Sequence, residues 1–377
     1  MRRIVFLEQY GDLGGGQQVL HELVQAALAL GHQVSVLIPE GPCANKLRHM
    51  GAAVQPIPLC RLSQGQKSCV DILRFTAYGW RVFLEHMRLL RSADLIYVNG
   101  NRLLGTAMLA QLFLQRKAVC HIHLNHGPLE LKLFLLFLRS KKSLGLIVPS
   151  PFILRQLQAA DKGFADPRVR LLPNGLDSRF SDIPFEDRFT DRPLRHVGIV
   201  GRVSPEKGQD VLLPLARRFP QLHFHVLGDA AFSAQDFYDG LRQTAPENVH
   251  FHGWVDDIPA KVREIGLQIC LVPSRCPEGS PERSFEAAPL VPLQMAALSC
   301  LVMVRRLGAL EDLAENLFLR SYDSDEEIKI LIESIINTDS HALYADVKKS
   351  YFFVKKLYNN YFFQQQLKNY ISYLINI

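Results

Sequence analysis

Two stretches of this chain carry the same local pattern, and that repetition constrains the fold more than any other feature. Arg3–Leu7 is a short apolar run, and Gly14, Gly15 and Gly16 follow in a polar loop. From Gln17 to Leu30 the residues Val19, Leu20, Leu23, Val24, Ala27 and Leu28 then recur at the three-and-four spacing of one helix face. Strand, glycine turn and helix in that order open a Rossmann-like α/β unit. The pattern returns with a strand at His196–Val200, a turn holding Gly201, Arg202, Lys207 and Gly208, and a predicted helix over Val211–Phe219. At 377 residues the chain is too long for one ordinary core, so each unit is expected to head its own domain.

Between these points the chain alternates apolar runs with helical spacing. Gln33–Ile38, Asp94–Val98, Leu146–Val148, Leu222–Leu227, Leu267–Val272 and Leu301–Val304 read as strands, and Asp71–Leu90 as one long helix carrying Arg74, Arg81 and Arg88. The polar, proline- and aspartate-containing stretch Asp177–Pro193 reads as a linker, and Tyr351–Ile377 as a helical tail. A hydrophobic content of 48% with 21% charged residues fits a soluble globular protein. The apolar run Leu133–Leu138 is cut by Lys132 and Arg139, far short of the ~20 residues that span a bilayer. Met1–Glu8 reads as a first strand and not as a signal peptide. Seven cysteines without a Cys-x-x-Cys pair favour a reducing compartment over a disulfide framework or structural zinc.

Charge is uneven. Residues 1–175 hold 21 Lys and Arg against 10 Asp and Glu, leaving 22 against 27 of the total 43 and 37 for the remainder. A basic half suits an anionic partner, membrane lipid or nucleic acid. No nucleic-acid module with interleaved aromatics is present, so no nucleic-acid partner is expected. The stretch Leu129–Ser143, with Lys132, Arg139, Lys141 and Lys142, suits either a core-facing helix with a charged end or a helix lying on an anionic membrane.

Several residues carry chemistry. Arg202 and Lys207 share one turn and could converge on a diphosphate, or be two solvated loop cations. Glu286 precedes a short loop and a helical pattern beginning near Leu290; a carboxylate there can accept hydroxyl hydrogen bonds while nearby amides attract phosphate. Glu282 is a nearby rival for that role. The Gly14–Gly16 loop lets the backbone approach a phosphate, but Gly14-Gly15-Gly16-Gln17-Gln18 is not the G-x-G-x-x-G of dinucleotide sites, so Glu40 as a ribose carboxylate is a minor alternative. His121, His123 and His126 suit a sugar contact, a structural role or a metal site.

These segments resemble, in order, the motifs of the retaining GT-B glycosyltransferases of family 4 (glycosyl transferases group 1). Residues 201–208 read G-R-V-S-P-E-K-G, close to the family's diphosphate-binding turn. Residues 286–297 read E-A-A-P-L-V-P-L-Q-M-A-A, close to its Glu-x7-Glu signature with Gln294 at the second position. Similar matches occur at Asp94–Asn99, His121–His123, Val148–Ser150, Asn174–Asp177, Gly228–Asp229 (with Ala230 for a second glycine), Phe251–Trp254 and Val272–Ser274. The resemblance implies an α/β fold of two Rossmann-like domains facing a central cleft, with a C-terminal helix crossing back to the first. The expected boundaries are an acceptor-side domain at 1–176, a linker at 177–193, a nucleotide-sugar domain at 194–345 and a returning helical segment at 346–377.

The resemblance also implies roles. Gly15, Gly16, Arg202, Lys207, Pro289, Leu290 and Val291 would hold the donor diphosphate; Gly228, Gly253, Trp254 and Gln294 would frame the nucleoside. Glu286 would hold sugar hydroxyls and His123 the sugar's opposite edge. The donor would be a nucleotide-diphosphate sugar, with no metal and no further cofactor, and the acceptor a glycan or lipid-linked molecule used in cell-surface polysaccharide or lipopolysaccharide synthesis. The expected location is cytoplasmic, or peripheral on the inner membrane face. Gln294, Ala230 and a long Arg275–Arg283 loop also fit a degenerate subunit that binds sugar nucleotide or a partner transferase without turnover.

Overall fold

The computed structural model describes residues 1–60, 69–124, 126–230, 234–276 and 286–377. It forms two compact units, Met1–Asn174 with Tyr361–Ile377, and Gly175–Asn360.

The first unit is a parallel sheet of seven strands: β1 (Arg3–Glu8), β2 (Gln33–Ile38), β3 (Ala53–Pro56), β4 (Leu95–Asn99), β5 (Ala118–His121), β6 (Ser143–Val148) and β7 (Val169–Leu171). Their order is β3-β2-β1-β4-β5-β6-β7. Central strands such as β1, buried from Ile4 to Glu8, are apolar on both faces because helices cover both sides of a parallel sheet. One face packs Ile4, Phe6, Val36 and Tyr97 against Leu20, Leu23 and Ala27 of the Gly15–Ala29 helix, and against Phe363, Leu367, Ile371 and Leu374. The chain travels from β1 outward to β3, then returns to place β4 on the other side of β1. In open α/β sheets ligands bind at such a reversal, outside the carboxyl ends of the strands.

The second unit repeats this plan with β8 (His196–Val200), β9 (His223–Leu227), β10 (Val249–Phe251), β11 (Ile269–Val272), β12 (Leu301–Arg305) and β13 (Arg320–Tyr322). The order β10-β9-β8-β11-β12-β13 puts its reversal between β8 and β11. Val197, Ile199, Phe224 and Val226 fill one face, and Val200, Leu227, Cys270 and Val272 the other.

Three expectations are corrected. Residues 177–193 are not a free linker: Phe180 and Phe189 are buried, and the Arg188 guanidinium, also buried, donates to the carbonyls of Leu267 (3.0 Å) and Leu298 (2.8 Å). Their polar character serves local structure, as where Asp177 accepts from the Arg179 amide to cap a short helix. The tail splits at Asn359. The Ser340–Tyr358 helix buries Leu343, Val347 and Val354 in the second unit, and only Asn360–Asn376 joins the first. Asp71–Leu90 is two helices, Cys69–Glu85 and Met87–Ser92, parted where His86 leaves helical geometry at φ −114° and ψ 19°.

Leu367 is fully buried in the first unit's core although it lies almost two hundred positions beyond that unit's last strand in sequence. Leu367→Ala is expected to destabilise the first unit by about 2–5 kcal/mol in chemical denaturation. An unchanged midpoint would show that the tail helix adds little to that core.

Candidate functional site

At the reversal of the second sheet, β8 ends at Gly201, whose φ of 127° is open to glycine and strained for other residues. Its amide donates to the Leu227 carbonyl at 2.9 Å, and a Cβ on Gly228 would fall 1.9 Å from the Gly201 oxygen. The turns after β8 and β9 can therefore touch only as bare backbone. Gly208, at φ 70°, also sits close to Pro273 after β11, where a Cβ would fall 2.5 Å from the Pro273 oxygen. The Arg275 amide donates to the Glu206 carbonyl at 2.9 Å, and its guanidinium pairs with Asp210. The loops after β8 and β11 are thus fastened together on either side of the reversal.

That fastening sets the charged groups. Arg202 pairs with Glu206 at 2.5 Å, while Lys207 pairs with Glu286, which lies 79 positions away in sequence. The Ser274 hydroxyl donates to the same Glu286 oxygen at 2.8 Å. The Glu286 side chain is only 16% exposed. Burial by itself would push its carboxyl up, but the charge and hydrogen bond of Lys207, the Ser274 hydroxyl and the charge of Arg202 outweigh it and hold the group below its ordinary value. Glu286 is thus a carboxylate prepared by two cations and a hydroxyl. The other expected residues lie around it. Val291 opens the Val291–Ala297 helix and stands 3.9 Å from where a Cβ on Gly201 would be; Leu290 packs on the core, and Pro289, buried, has no amide to offer. Gln294 projects half-buried from that helix, its side chain unpaired among the described residues. Gly228 and Gly253 bridge each other, and Trp254, 62% exposed, donates its indole N–H to Asp256 at 2.7 Å. Glu282 and most of the Arg275–Arg283 loop lie outside the described residues.

The first sheet's reversal holds an arrangement that sequence reasoning missed. Glu8 ends β1 directly opposite Asn99 at the end of β4, both fully buried. Glu8 Oε1 accepts from the amides of Gln9 (2.7 Å) and Tyr10 (2.9 Å) and from Gln17 Nε2 (3.0 Å); Oε2 accepts from Asn99 Nδ2 at 2.5 Å. The other end of the Asn99 amide meets His123 Nε2 at 2.6 Å. Gly15 begins the first helix and Gly16 packs on the His123 ring, where a Cβ would come within 3.5 Å. Burial pushes the Glu8 carboxyl up to about 7 despite its four hydrogen bonds, and lowers His123 to about 4. A polar residue ending each of two apolar strands was the only available sign, and their pairing depends on strand order. The three histidines do different things. His121 stays in the strand and meets the Tyr97 hydroxyl at 3.0 Å, with its ring 4.2 Å from that of His123; His126 faces Asn101 at 3.4 Å.

Comparison with known proteins is consistent across the chain. The family described as Glycosyltransferase Family 4 matches residues 13–180, and Glycosyl transferases group 1 matches residues 195–337. The chain is 27% identical over 263 residues to a phosphatidyl-myo-inositol mannosyltransferase of Mycolicibacterium smegmatis, a match covering 65% of this chain and 62% of that protein. It therefore spans less than two thirds of that relative's length. Its fold is similar to Anabaena HepE, solved with UDP and glucose (TM-score 0.78, 20% identity, 99% of this chain and 100% of that one). It is also similar to sucrose-phosphate synthase from Thermosynechococcus elongatus (TM-score 0.76, 16% identity, 100% of both chains).

Two outcomes follow from the buried carboxylates. Lys207→Met leaves Glu286 with burial unopposed by its closest cation, so its carboxyl should rise and the second unit should lose about 1–3 kcal/mol near neutral pH, read by denaturation. Glu8 behaves oppositely. It ionises near 4.5 when unfolded and about 7 when folded, so its contribution is fully present below about 4.5 and is lost as pH rises through about 7. The full difference is about 3 kcal/mol. Glu8→Gln should flatten that slope; an unchanged slope would remove Glu8 as its source.

Proposed function

The chain belongs to the GT-B glycosyltransferases of family 4, group 1, and from that membership we propose that it moves a sugar, with retention, from a nucleotide-diphosphate sugar to a glycan or lipid-linked acceptor in cell-surface glycan synthesis. The observation that carries this reading is the meeting of Lys207 with Glu286 at the carboxyl ends of β8 and β11. One side chain suits phosphate and the other sugar hydroxyls, and a nucleotide-diphosphate sugar presents both within one small molecule. HepE in complex with UDP-glucose supports that donor class, and the mannosyltransferase relative supports a lipid-linked acceptor.

In this reading the glycosidic bond breaks with its electrons passing to the diphosphate. Arg202 and Lys207 stabilise the charge that grows there. The departing diphosphate oxygen takes the proton of the incoming hydroxyl, which attacks from the same face. Glu286 orients the sugar through its hydroxyls, and Gln294 meets the ribose as a neutral partner able both to donate and to accept. Retention of Arg202, Lys207 and Glu286 together favours turnover over a purely binding subunit.

The same reading places the protein at the cytoplasmic face of a membrane, and one exposed face suits it. Along the Cys69–Glu85 helix, Val70, Leu73, Trp80 and Leu84 form an outward apolar stripe, with Leu73 70% exposed. Exposed Arg74 and Arg81 run beside it seven residues apart, and Arg88 is exposed on the Met87–Ser92 helix that follows. Phe113 of the Leu104–Leu114 helix, half exposed, lies 5.6 Å from the Trp80 ring. Apolar and aromatic side chains flanked by arginines suit the headgroup layer of anionic lipid. The Pro128–Arg139 helix, for which the sequence left this property open against a core-facing role, turns Phe134, Phe137 and Leu138 into the core and is the lesser candidate. Among the described residues no helix is long and apolar enough to cross a membrane.

Calorimetry with UDP, GDP and ADP tests the donor site. Arg202→Ala should weaken the preferred nucleotide roughly tenfold or more, and unchanged binding would sink its phosphate role. Glu286→Gln should lower turnover on the order of a hundredfold while sparing nucleotide affinity. For the membrane face, Leu73→Ser with Trp80→Ser should reduce sedimentation with anionic vesicles; equal binding of both proteins would rule that face out.

A further inference from the structure

We propose that Glu8, acting through the Asn99 amide, fixes which ring nitrogen of His123 carries the proton, so that His123 presents a bare Nδ1 and selects a ligand group that donates a hydrogen bond. Glu8 and Asn99 are positioning residues in this scheme; His123 makes the contact. The proposal rests on the reading of His123 as a sugar contact and adds the chemical character of the edge it meets.

Asn99 Nδ2 lies 2.5 Å from Glu8 Oε2 and 3.2 Å from the Gly16 carbonyl. Above about pH 7, where Glu8 is ionised, both neighbours accept only, so the amide nitrogen must face them and the amide oxygen must face His123. That oxygen stands 2.6 Å from His123 Nε2 and brings only lone pairs, so Nε2 carries the hydrogen. A neutral imidazole has one N–H, and burial keeps this ring neutral, with its pKa lowered to about 4. Nδ1 is therefore unprotonated, and it has no partner among the described residues. A phosphate oxygen or a carbonyl would meet lone pair with lone pair there. A sugar hydroxyl would donate.

Glu8 cannot relax this order, because its own two oxygens are unequal. Oε1 is held by three N–H donors, from Gln9, Tyr10 and Gln17, and only Oε2 is left for Asn99. The register pairing of Glu8 with Asn99 on adjacent parallel strands keeps the two in reach.

The same count gives a sharp test. In Glu8→Gln the new side-chain oxygen must take the place of Oε1 to satisfy three donors, which turns its NH2 toward the Asn99 NH2. The Asn99 amide then rotates to accept from it, giving up its 3.2 Å bond to the Gly16 carbonyl; its nitrogen faces His123 Nε2, and the ring proton moves to Nδ1. Nitrogen NMR of the histidine-labelled full chain, recorded above about pH 7 so that Glu8 is ionised, should show His123 as the Nε2–H tautomer in the parent and the Nδ1–H tautomer in Glu8→Gln. Adding Asn99→Asp should restore the parent tautomer, since the carboxylate introduced there accepts from the new side-chain amide on β1 and again from His123. The same single tautomer in the folded parent and in Glu8→Gln would overturn the relay. Should Glu8→Gln not fold, Asn99→Leu removes the acceptor and should give a mixed tautomer; an undiluted Nε2–H signal there would also overturn it.

Kinetics then separate relay from contact. KM for the sugar donor should rise about three- to tenfold in Glu8→Gln, with affinity for the free nucleotide unchanged and KM recovered in the double variant. An inverted tautomer with unmoved KM would overturn the selecting role. A parent chain that binds no nucleoside diphosphate would instead count against the donor reading, and the tautomer result would stand apart from it.

Discussion

A parallel sheet whose strand order reverses has one place where the connections on its two sides leave in opposite directions, and no crossover closes over the strand ends there. Both units of this protein are built around that constraint. In the first the reversal lies between β1 and β4 and exposes Glu8 and Asn99 to one another; in the second it lies between β8 and β11 and gathers Arg202, Lys207, Ser274 and Glu286. Glycine enters where the turns must come closer than a Cβ allows, as between Gly201 and Gly228.

Each reversal buries a carboxylate, and the two are handled in opposite ways. Glu286 has Lys207 and a hydroxyl beside it with Arg202 in range, and stays ionised below its ordinary pKa. Glu8 has no cation among its hydrogen-bond partners, only two backbone amides and two side-chain amides, and burial raises it to about 7. A charge balanced by cations suits a group that must stay anionic. A carboxylate held by directional neutral donors is costlier to bury, but it fixes the orientation of every amide around it. That difference separates a binding carboxylate from one that positions other groups.

Much of this was legible in the sequence, and the exceptions share a cause. The two strand–turn–helix units, the Arg202–Lys207 turn and the Glu286 segment are contiguous, and each declares itself through local spacing. The meeting of Lys207 with Glu286 was implied only by their separate resemblances. The Glu8–Asn99–His123 relay left almost no trace, because it depends on β4 returning beside β1, a fact of strand order and not of spacing. The 177–193 segment reads as a linker because its polar residues cap and tether, and the buried Arg188 looks from sequence like surface charge. The true division of the tail is hidden because Leu343, Val347, Leu367 and Ile371 keep the same helical period on both sides of Asn359, whichever unit they pack against.

Period is equally silent about what covers an apolar face. Val70, Leu73, Ala77, Trp80 and Leu84 recur at three-and-four spacing, as a core-facing stripe would, yet here they point outward. A seam with this spacing could in principle pair with a second copy of itself. The arginines decide against it: Arg74 and Arg81 flank the seam on the same side one repeat apart, and a self-paired helix would set them near one another with few acidic partners, Asp71 being buried and Glu85 already bonded to Arg81. In the membrane reading proposed above, anionic headgroups would supply the missing charge beside the stripe, while the apolar side chains would enter the layer beneath. The arginines that disfavour a partner helix are thus the groups that the proposed lipid contact would use.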